Sequence, residues 1–143
     1  MAQTDAGRCG IRIERLSPPG LHATPGYHHV TVVEAGRSAH VAGQCPLDAD
    51  GRLVGGDDLL AQVDQVVANT LAALAAVGAA PSDVVRTHIW VASGDRDDLA
   101  SVWTRLRESE LADALTTAST LVGVTRLGYP GQLVELDVTA APG

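Results

Sequence analysis

Few residues in this 143-residue chain have the type and placing that chemistry needs, and Glu135 stands first among them. The run Gln132 to Thr139, QLVELDVT, alternates strictly. Leu133, Glu135, Asp137 and Thr139 share one face, and Val134, Leu136 and Val138 share the other. The aliphatic face belongs to the core, so Glu135 points toward water or into a pocket built with something else. On pattern alone it is either a solvated strand carboxylate or a general acid/base. Ser119 lacks the G-x-S-x-G elbow of a hydrolase nucleophile. His28 and His29 are adjacent, so in a strand they face opposite sides and cannot form a joint site, although either can approach a pocket beside Tyr27. His40 and His88 fall within strands, as satisfied core or subunit-interface histidines. Cys45 has no basic neighbour to favour its thiolate, which leaves it a small, buried apolar role. All ten basic residues are arginines, which excludes a lysine Schiff base and the aldolase and pyridoxal chemistry that depends on one.

Strands and helices must place these residues. Ile11 to Leu16 alternates as a short strand, and Ser17-Pro18-Pro19-Gly20 breaks it. Tyr27 to Glu34 and Ser38 to Gly43 read as two further strands, with Ala35-Gly36-Arg37 as the hairpin turn between them. A long helix follows, capped by Asp57 or Asp58 and ended by Gly78. Its Leu59, Leu60, Val63, Val66, Val67, Thr70, Leu71, Leu74 and Val77 recur at spacings of three and four. Asp83 to Ala92 is a strand, and Asp95 or Asp97 opens a second helix carrying Leu99, Val102, Trp103 and Leu106. Ser119 to Val124 and Gln132 to Thr139 then form a C-terminal hairpin through Gly128-Tyr129-Pro130-Gly131. There proline suits position i+1, and glycine the position needing positive φ. The order β-β-β-α-β-α-β-β predicts an α+β fold, a single mixed β-sheet with two helices on one face. The other face is then an open apolar area, the mark of an association surface.

The length fits one domain over residues 11–140, and the small polar residues 1–10 are expected to form a disordered or peripheral tail. A net charge of −7 argues against nucleic acid or an anionic membrane as the main partner. Phe is absent, which leaves few aromatics for stacking nucleobases. Cys9 and Cys45 make no disulfide framework, and no His/Cys spacing suggests zinc. No run reaches about 18 uninterrupted apolar residues, so the expectation is a reduced, cytoplasmic protein without a membrane span.

The C-terminal stretch A-S-T-L-V-G-V-x-x-L, followed by L-V-E-L-D, resembles the signature of the Rid family, the reactive intermediate deaminases or YjgF-type proteins. Pro25-Gly26-Tyr27, Val41 to Asp48 (VAGQCPLD) and Asp83 to Val91 are similar to further motifs of that family, in the same order and spacing from about Ile11 to Ala140. The resemblance implies a chorismate-mutase-like homotrimer around a central barrel, with small-molecule pockets in the clefts between subunits and no metal or cofactor. It makes Glu135 the glutamate that positions or activates water for imine hydrolysis, and Tyr27 the pocket tyrosine. Ala42 and Gly43 become the loop beside the ligand, with Trp103 and Leu121 on the pocket wall. Where the family has the arginine that binds a substrate carboxylate, this chain has Ser119. Serine supplies neither the charge nor the planar fork of arginine. The implied activity is therefore metal-free water addition to a small reactive enamine, imine or related intermediate, and not standard 2-imino acid deamination. Arg126, nearby in sequence, could compensate. The alternatives are a non-catalytic small-molecule binding trimer, or a pathway-specific cyclase, tautomerase or hydrolase using the same cleft.

Overall fold

The computed structural model describes residues 12–143; the expected tail over residues 1–10, Cys9 included, lies outside the described residues. The elements are β1 (Ile13–Leu16), β2 (Val30–Val33), β3 (Ala39–Gln44), α1 (Leu59–Ala76), β4 (Val84–Val91), α2 (Arg96–Arg107), β5 (Ala118–Gly123) and β6 (Val134–Ala140). Short 3-10 turns at Pro81–Asp83 and Ala112–Leu115 lead into β4 and β5. This is the expected α+β order.

Local signals govern the helix ends. The Asp58 side chain caps α1 by accepting from the Ala61 amide at 3.1 Å, and Asp95 caps α2 by accepting from Asp97 at 2.9 Å. At the far end of α1, Gly78 takes φ +69°. The Ala79 amide then reaches the Leu74 carbonyl at 3.0 Å and the Gly78 amide reaches Ala75 at 3.1 Å, a Schellman termination. The α1 helix has the length and apolarity of a membrane helix. One face of it, carrying Val63, Val66, Val67 and Leu74, is nonetheless buried in the core cluster, as for a helix packed on a sheet.

Strand pairing departs from the sequence expectation in two places. The last two strands do not form a hairpin: the sheet order is β3-β6-β4-β5, with β4 between β5 and β6. Strand β5 runs parallel to β4, Ile89 opposite Leu121, and α2 supplies the crossover that a parallel pair requires. The Tyr129-Pro130-Gly131-Gln132 segment is still a turn, closed by Gln132 N–H on Tyr129 C=O at 3.0 Å with Gly131 at φ +77°, but it connects non-neighbours. Strands β2 and β3 do not pair across Ala35-Gly36-Arg37 either. β2 pairs antiparallel with β1, and β3 with β6.

The mixed sheet is thus four-stranded, with β1–β2 as a ribbon joined to it by side chains. Thr31 Oγ1 bonds Thr117 Oγ1 at 2.6 Å and accepts from the Ala118 amide at 3.0 Å. Arg15 donates to the carbonyls of Ser82 and Val84, each at 2.8 Å. Both helices cover one face, where Val102 and Leu106 of α2 join Ile89, Val91, Val134, Leu136 and Val138 in the buried cluster. Each such aliphatic side chain removed from water contributes about 1.5–3 kcal/mol before the cost of ordering the chain.

The uncovered face is not apolar. Arg86, His88, Trp90, Thr120 and Asp137 form a half-buried network there. His88 Nδ1 lies 2.9 Å from Asp137 Oδ1, Trp90 Nε1 donates to Asp137 Oδ2 at 3.1 Å, and Arg86 Nη2 donates to Thr120 at 2.6 Å and His88 Nε2 at 3.1 Å. A guanidinium only donates, so Nε2 of His88 is the acceptor and Nδ1 carries the proton directed at Asp137. Neither strand histidine is a core residue, since His40 is exposed and bonded to Ser38. The alternation in β4 sends Thr87, Ile89 and Val91 inward and sends these polar groups outward.

Candidate functional site

Glu135 emerges on the uncovered face, opposite Trp90 in the β4–β6 ladder and between the buried Val134 and Leu136. Its Oε1 is held by two donors, Gln132 Nε2 and Cys45 Sγ, each at 3.1 Å. Its Oε2 lies over Gly43. A Cβ at position 43 would stand 2.5 Å from Oε2 and 2.8 Å from the carboxyl carbon, so only glycine leaves room for this carboxylate. The register of β3 on β6 shifts between Val41 and Gln44, a bulge that turns Gly43 toward Glu135.

Cys45 is the main departure from the expected roles. It is a half-buried hydrogen-bond donor to Glu135 and not an apolar filler. Burial, followed by the hydrogen bond to Glu135 and its negative charge, pushes the thiol up to about 11, so at neutral pH it stays S–H. The loop behind it is tied to α1, where Asn69 Nδ2 donates to the carbonyls of Cys45 and Leu47 at 2.9 Å each. Beside Gly43 and Cys45 lies a shallow cleft of about 400 Å³, also lined by Leu47, Asp48, Asn69 and Tyr129. A concavity of about 440 Å³ between the two helices holds none of the expected site residues.

The remaining expected site residues sit elsewhere. Tyr27 and Trp103 meet edge to face with ring centroids 6.2 Å apart, and Trp103 Nε1 donates to the Pro25 carbonyl at 3.2 Å. Arg107 donates to the same carbonyl at 2.7 Å and lies against Gly26, pinning this loop to α2. Ser119 pairs with the buried Thr87, and Leu121 with the buried Ile89, so both lie on the helix side of the sheet. Ser119 Oγ donates to the Thr117 carbonyl at 3.0 Å. Within one protomer, then, Glu135, Ala42 and Gly43 stand on the uncovered side, away from Ser119 and Leu121. Arg126 is exposed after β5 and forms no ion pair among the described residues. His28 and His29 precede β2 instead of facing opposite ways within it. His28 Nδ1 pairs with the Thr116 carbonyl, and His29 stacks edge to face on Tyr27 at 5.7 Å.

Sequence reasoning passed over Gln132 and Gln62. Gln132 is 4% exposed and Gln62 fully buried. Gln62 donates to the carbonyls of Gly56 (2.7 Å) and Gly131 (2.9 Å) and accepts from the Leu133 amide (2.8 Å), clamping the approach to Glu135. A signal existed. Gln132 falls on the core parity of the alternation with Val134 and Leu136, where a polar side chain needs a reason to be.

Fold and site together define a small α+β protein whose mixed sheet holds a carboxylate in a glycine-floored notch. A family model described as Endoribonuclease L-PSP matches residues 20–142. A solved Yersinia pestis structure, a protein of unknown function of the conserved Rid family named YyfB, is 34% identical, with a TM-score of 0.82. The match covers 90% of this chain and 98% of that one. A Mycobacterium tuberculosis member of the YjgF/YER057c/UK114 family is 28% identical over 91% of this chain and 99% of its own, with a TM-score of 0.59. Yeast Mmf1, at 22% identity over 92% and 100% with a TM-score of 0.66, shares the fold. A comparison with curated proteins finds no match. The chain belongs to the Rid family, the YjgF-type proteins, as its C-terminal motif suggested.

Proposed function

We propose that this protein adds water to a small reactive imine or enamine, with Glu135 as general acid/base, in a cleft completed by a second copy of the chain within a homotrimer. The observation that carries the reading is the arrangement of the Glu135 carboxylate: one oxygen held by two donors, the other over Gly43 with no hydrogen-bond partner among the described residues. In the reaction, Oε2 takes a proton from water as the water oxygen bonds to the imine carbon. The proton then passes to nitrogen, giving a carbinolamine; its hydroxyl proton returns to Oε2 and is passed to the amine as the C–N bond breaks and the C=O bond forms, so that a carbonyl compound and ammonia leave. Proton transfer by a positioned carboxylate contributes about 10²–10⁴-fold.

Ser119 bears on the substrate. A desolvated substrate carboxylate without a cation costs several kcal/mol, on the order of 3–5 for an orphaned buried charge. The favoured substrate is therefore neutral where the family's usual substrate is anionic. The net charge of −7 also weighs against reading the L-PSP name as RNA cleavage here.

The test is Glu135→Gln, assayed by ammonia release across a panel of imines generated in situ. Turnover is expected to fall by roughly 10²–10⁴-fold while ligand binding persists. Undiminished turnover in this variant would overturn the mechanism. A parent that binds panel compounds and hydrolyses none would make the protein a binding module.

A further inference from the structure

Glu135 does not hold its position by itself. Resting on the reading of Glu135 as acid/base, we propose that Gln132 and Cys45 are positioning residues that hold Oε1 of Glu135 as a fixed acceptor, which leaves Oε2 as the working oxygen.

The orientation of the Gln132 amide is dictated by backbone groups. Its Oε1 accepts from the Tyr129 amide at 3.1 Å, and its Nε2 donates to the Val134 carbonyl at 3.1 Å. A backbone N–H can only donate and a backbone C=O can only accept, so the amide cannot flip. The second N–H of Nε2 is thereby aimed at Glu135 Oε1 at 3.1 Å. Gln132 is itself held from both sides, because Gln62 takes the Gly131 carbonyl and the Leu133 amide. The second donor, the Cys45 thiol, reaches the same oxygen from a loop that Asn69 fixes on α1.

A proton on Oε1 would point into an N–H that cannot turn away, so the proton moved in the reaction falls on Oε2, the oxygen over Gly43.

A purely structural role for Gln132, in tying Tyr129 to Val134, would lower folding stability and leave the Glu135 carboxylate in place in the folded protein. The experiment therefore locates the carboxylate directly, by crystal structures of the full chain and its variants, beside a thermal melt and the split of kcat from KM in imine hydrolysis. Cys45→Ala removes one donor without touching the turn; Glu135 should leave its single rotamer and kcat should fall by about 10-fold with KM within about twofold, the worth of one hydrogen bond to a charged group. Cys45→Ser restores a donor and should bring the rotamer back and kcat to within about threefold of the parent. Gln132→Glu keeps the acceptor for Tyr129 but sets a second carboxyl against the first, and should displace the Glu135 carboxylate and lower kcat by more than about 10-fold. An unmoved carboxylate with parent-like kcat in Cys45→Ala and Gln132→Glu would overturn the positioning role. A displaced carboxylate in a protein with no hydrolytic turnover would uphold it and refute the proposed reaction instead, so the two failures are distinguishable.

Discussion

Gly43→Ala tests the notch most directly, because it adds one methyl group and nothing else. The backbone of Gly43 is not in the left-handed region, so alanine brings no conformational strain of its own. The new Cβ would stand 2.5 Å from Glu135 Oε2, 2.8 Å from Cδ and 3.0 Å from Cγ. Ordinary contacts between such atoms begin near 3.5 Å, so the carboxylate must retreat by roughly 0.5–1 Å. Its two hydrogen bonds already measure 3.1 Å, and a retreat of that size carries them past useful length. Hydrogen bonds to a charged group contribute about 1.5–3 kcal/mol each, and a misplacement of about 1 Å costs on the order of 10²-fold in rate. The expected result is a kcat about 100-fold lower with KM within about threefold, because the new methyl group faces Glu135 and the wall formed by Trp103 and Leu121 is untouched. Stability should barely respond, since the clash falls on the movable end of a side chain and a Gly→Ala change restricts the unfolded chain; Tm should move by less than about 5 °C. Ammonia release with the best imine of the panel and a thermal melt measure the two effects. Gly94→Ala is the control, for its added Cβ meets nothing within 4 Å. Parent-like kcat in Gly43→Ala would refute the notch. A rate loss matched by a collapse in Tm would refute the claim that the loss is local.

Two further predictions concern the residues on either side of that carboxylate. In a Cys9→Ser background the rate of Cys45 alkylation by iodoacetamide should rise with pH to a midpoint of about 11, and Glu135→Gln should lower that midpoint toward the ordinary thiol value of 9.0. The sign for folding follows from a pKa raised in the folded state: the stability held by the S–H form is complete below pH 9 and is lost as pH rises toward 11. Ser119→Arg should speed hydrolysis of 2-imino acids such as those from alanine or leucine by roughly 10–100-fold, the worth of one charge-assisted pair. A parent already as fast as an arginine-containing relative would show that serine is no obstacle.

Much of the fold was legible because its signals are local. Asp58, Asp95, Gly78 and the Pro130-Gly131 turn each act within four residues, and each stands where its chemistry places it. Strand pairing was not legible, because it depends on contacts far apart in sequence. The turn after β5 looks like a hairpin turn, yet α2 has already laid β5 parallel to β4 and filled the position beside β6. The polarity of the uncovered face was present in the spacing of Arg86, His88 and Trp90 against Thr87, Ile89 and Val91. What the spacing could not give was the join: Asp137, 47 residues after Trp90, takes both its indole N–H and the His88 ring. Glu135 was found because it breaks no rule on its face. Gln132 was missed although it breaks the rule on the other.

The division of the site between the two faces of the sheet bears on how this chain departs from its family. Every group that fixes Glu135 is local to it: Gln132 three residues away, Cys45 across the ladder, and Gln62 and Asn69 beneath. None of them touches Ser119, which lies on the helix side beside Thr87 and is satisfied by Thr117. A change at position 119 therefore leaves the carboxylate and its donors where they are. If the cleft is closed by a second copy, as proposed above, one protomer would supply the acid/base and the other the wall that reads the substrate. Serine in place of arginine at that wall would then alter which molecule is held and leave the proton chemistry intact. On the proposed function, that separation would give Ser119 a role in specificity and leave the reaction to Glu135.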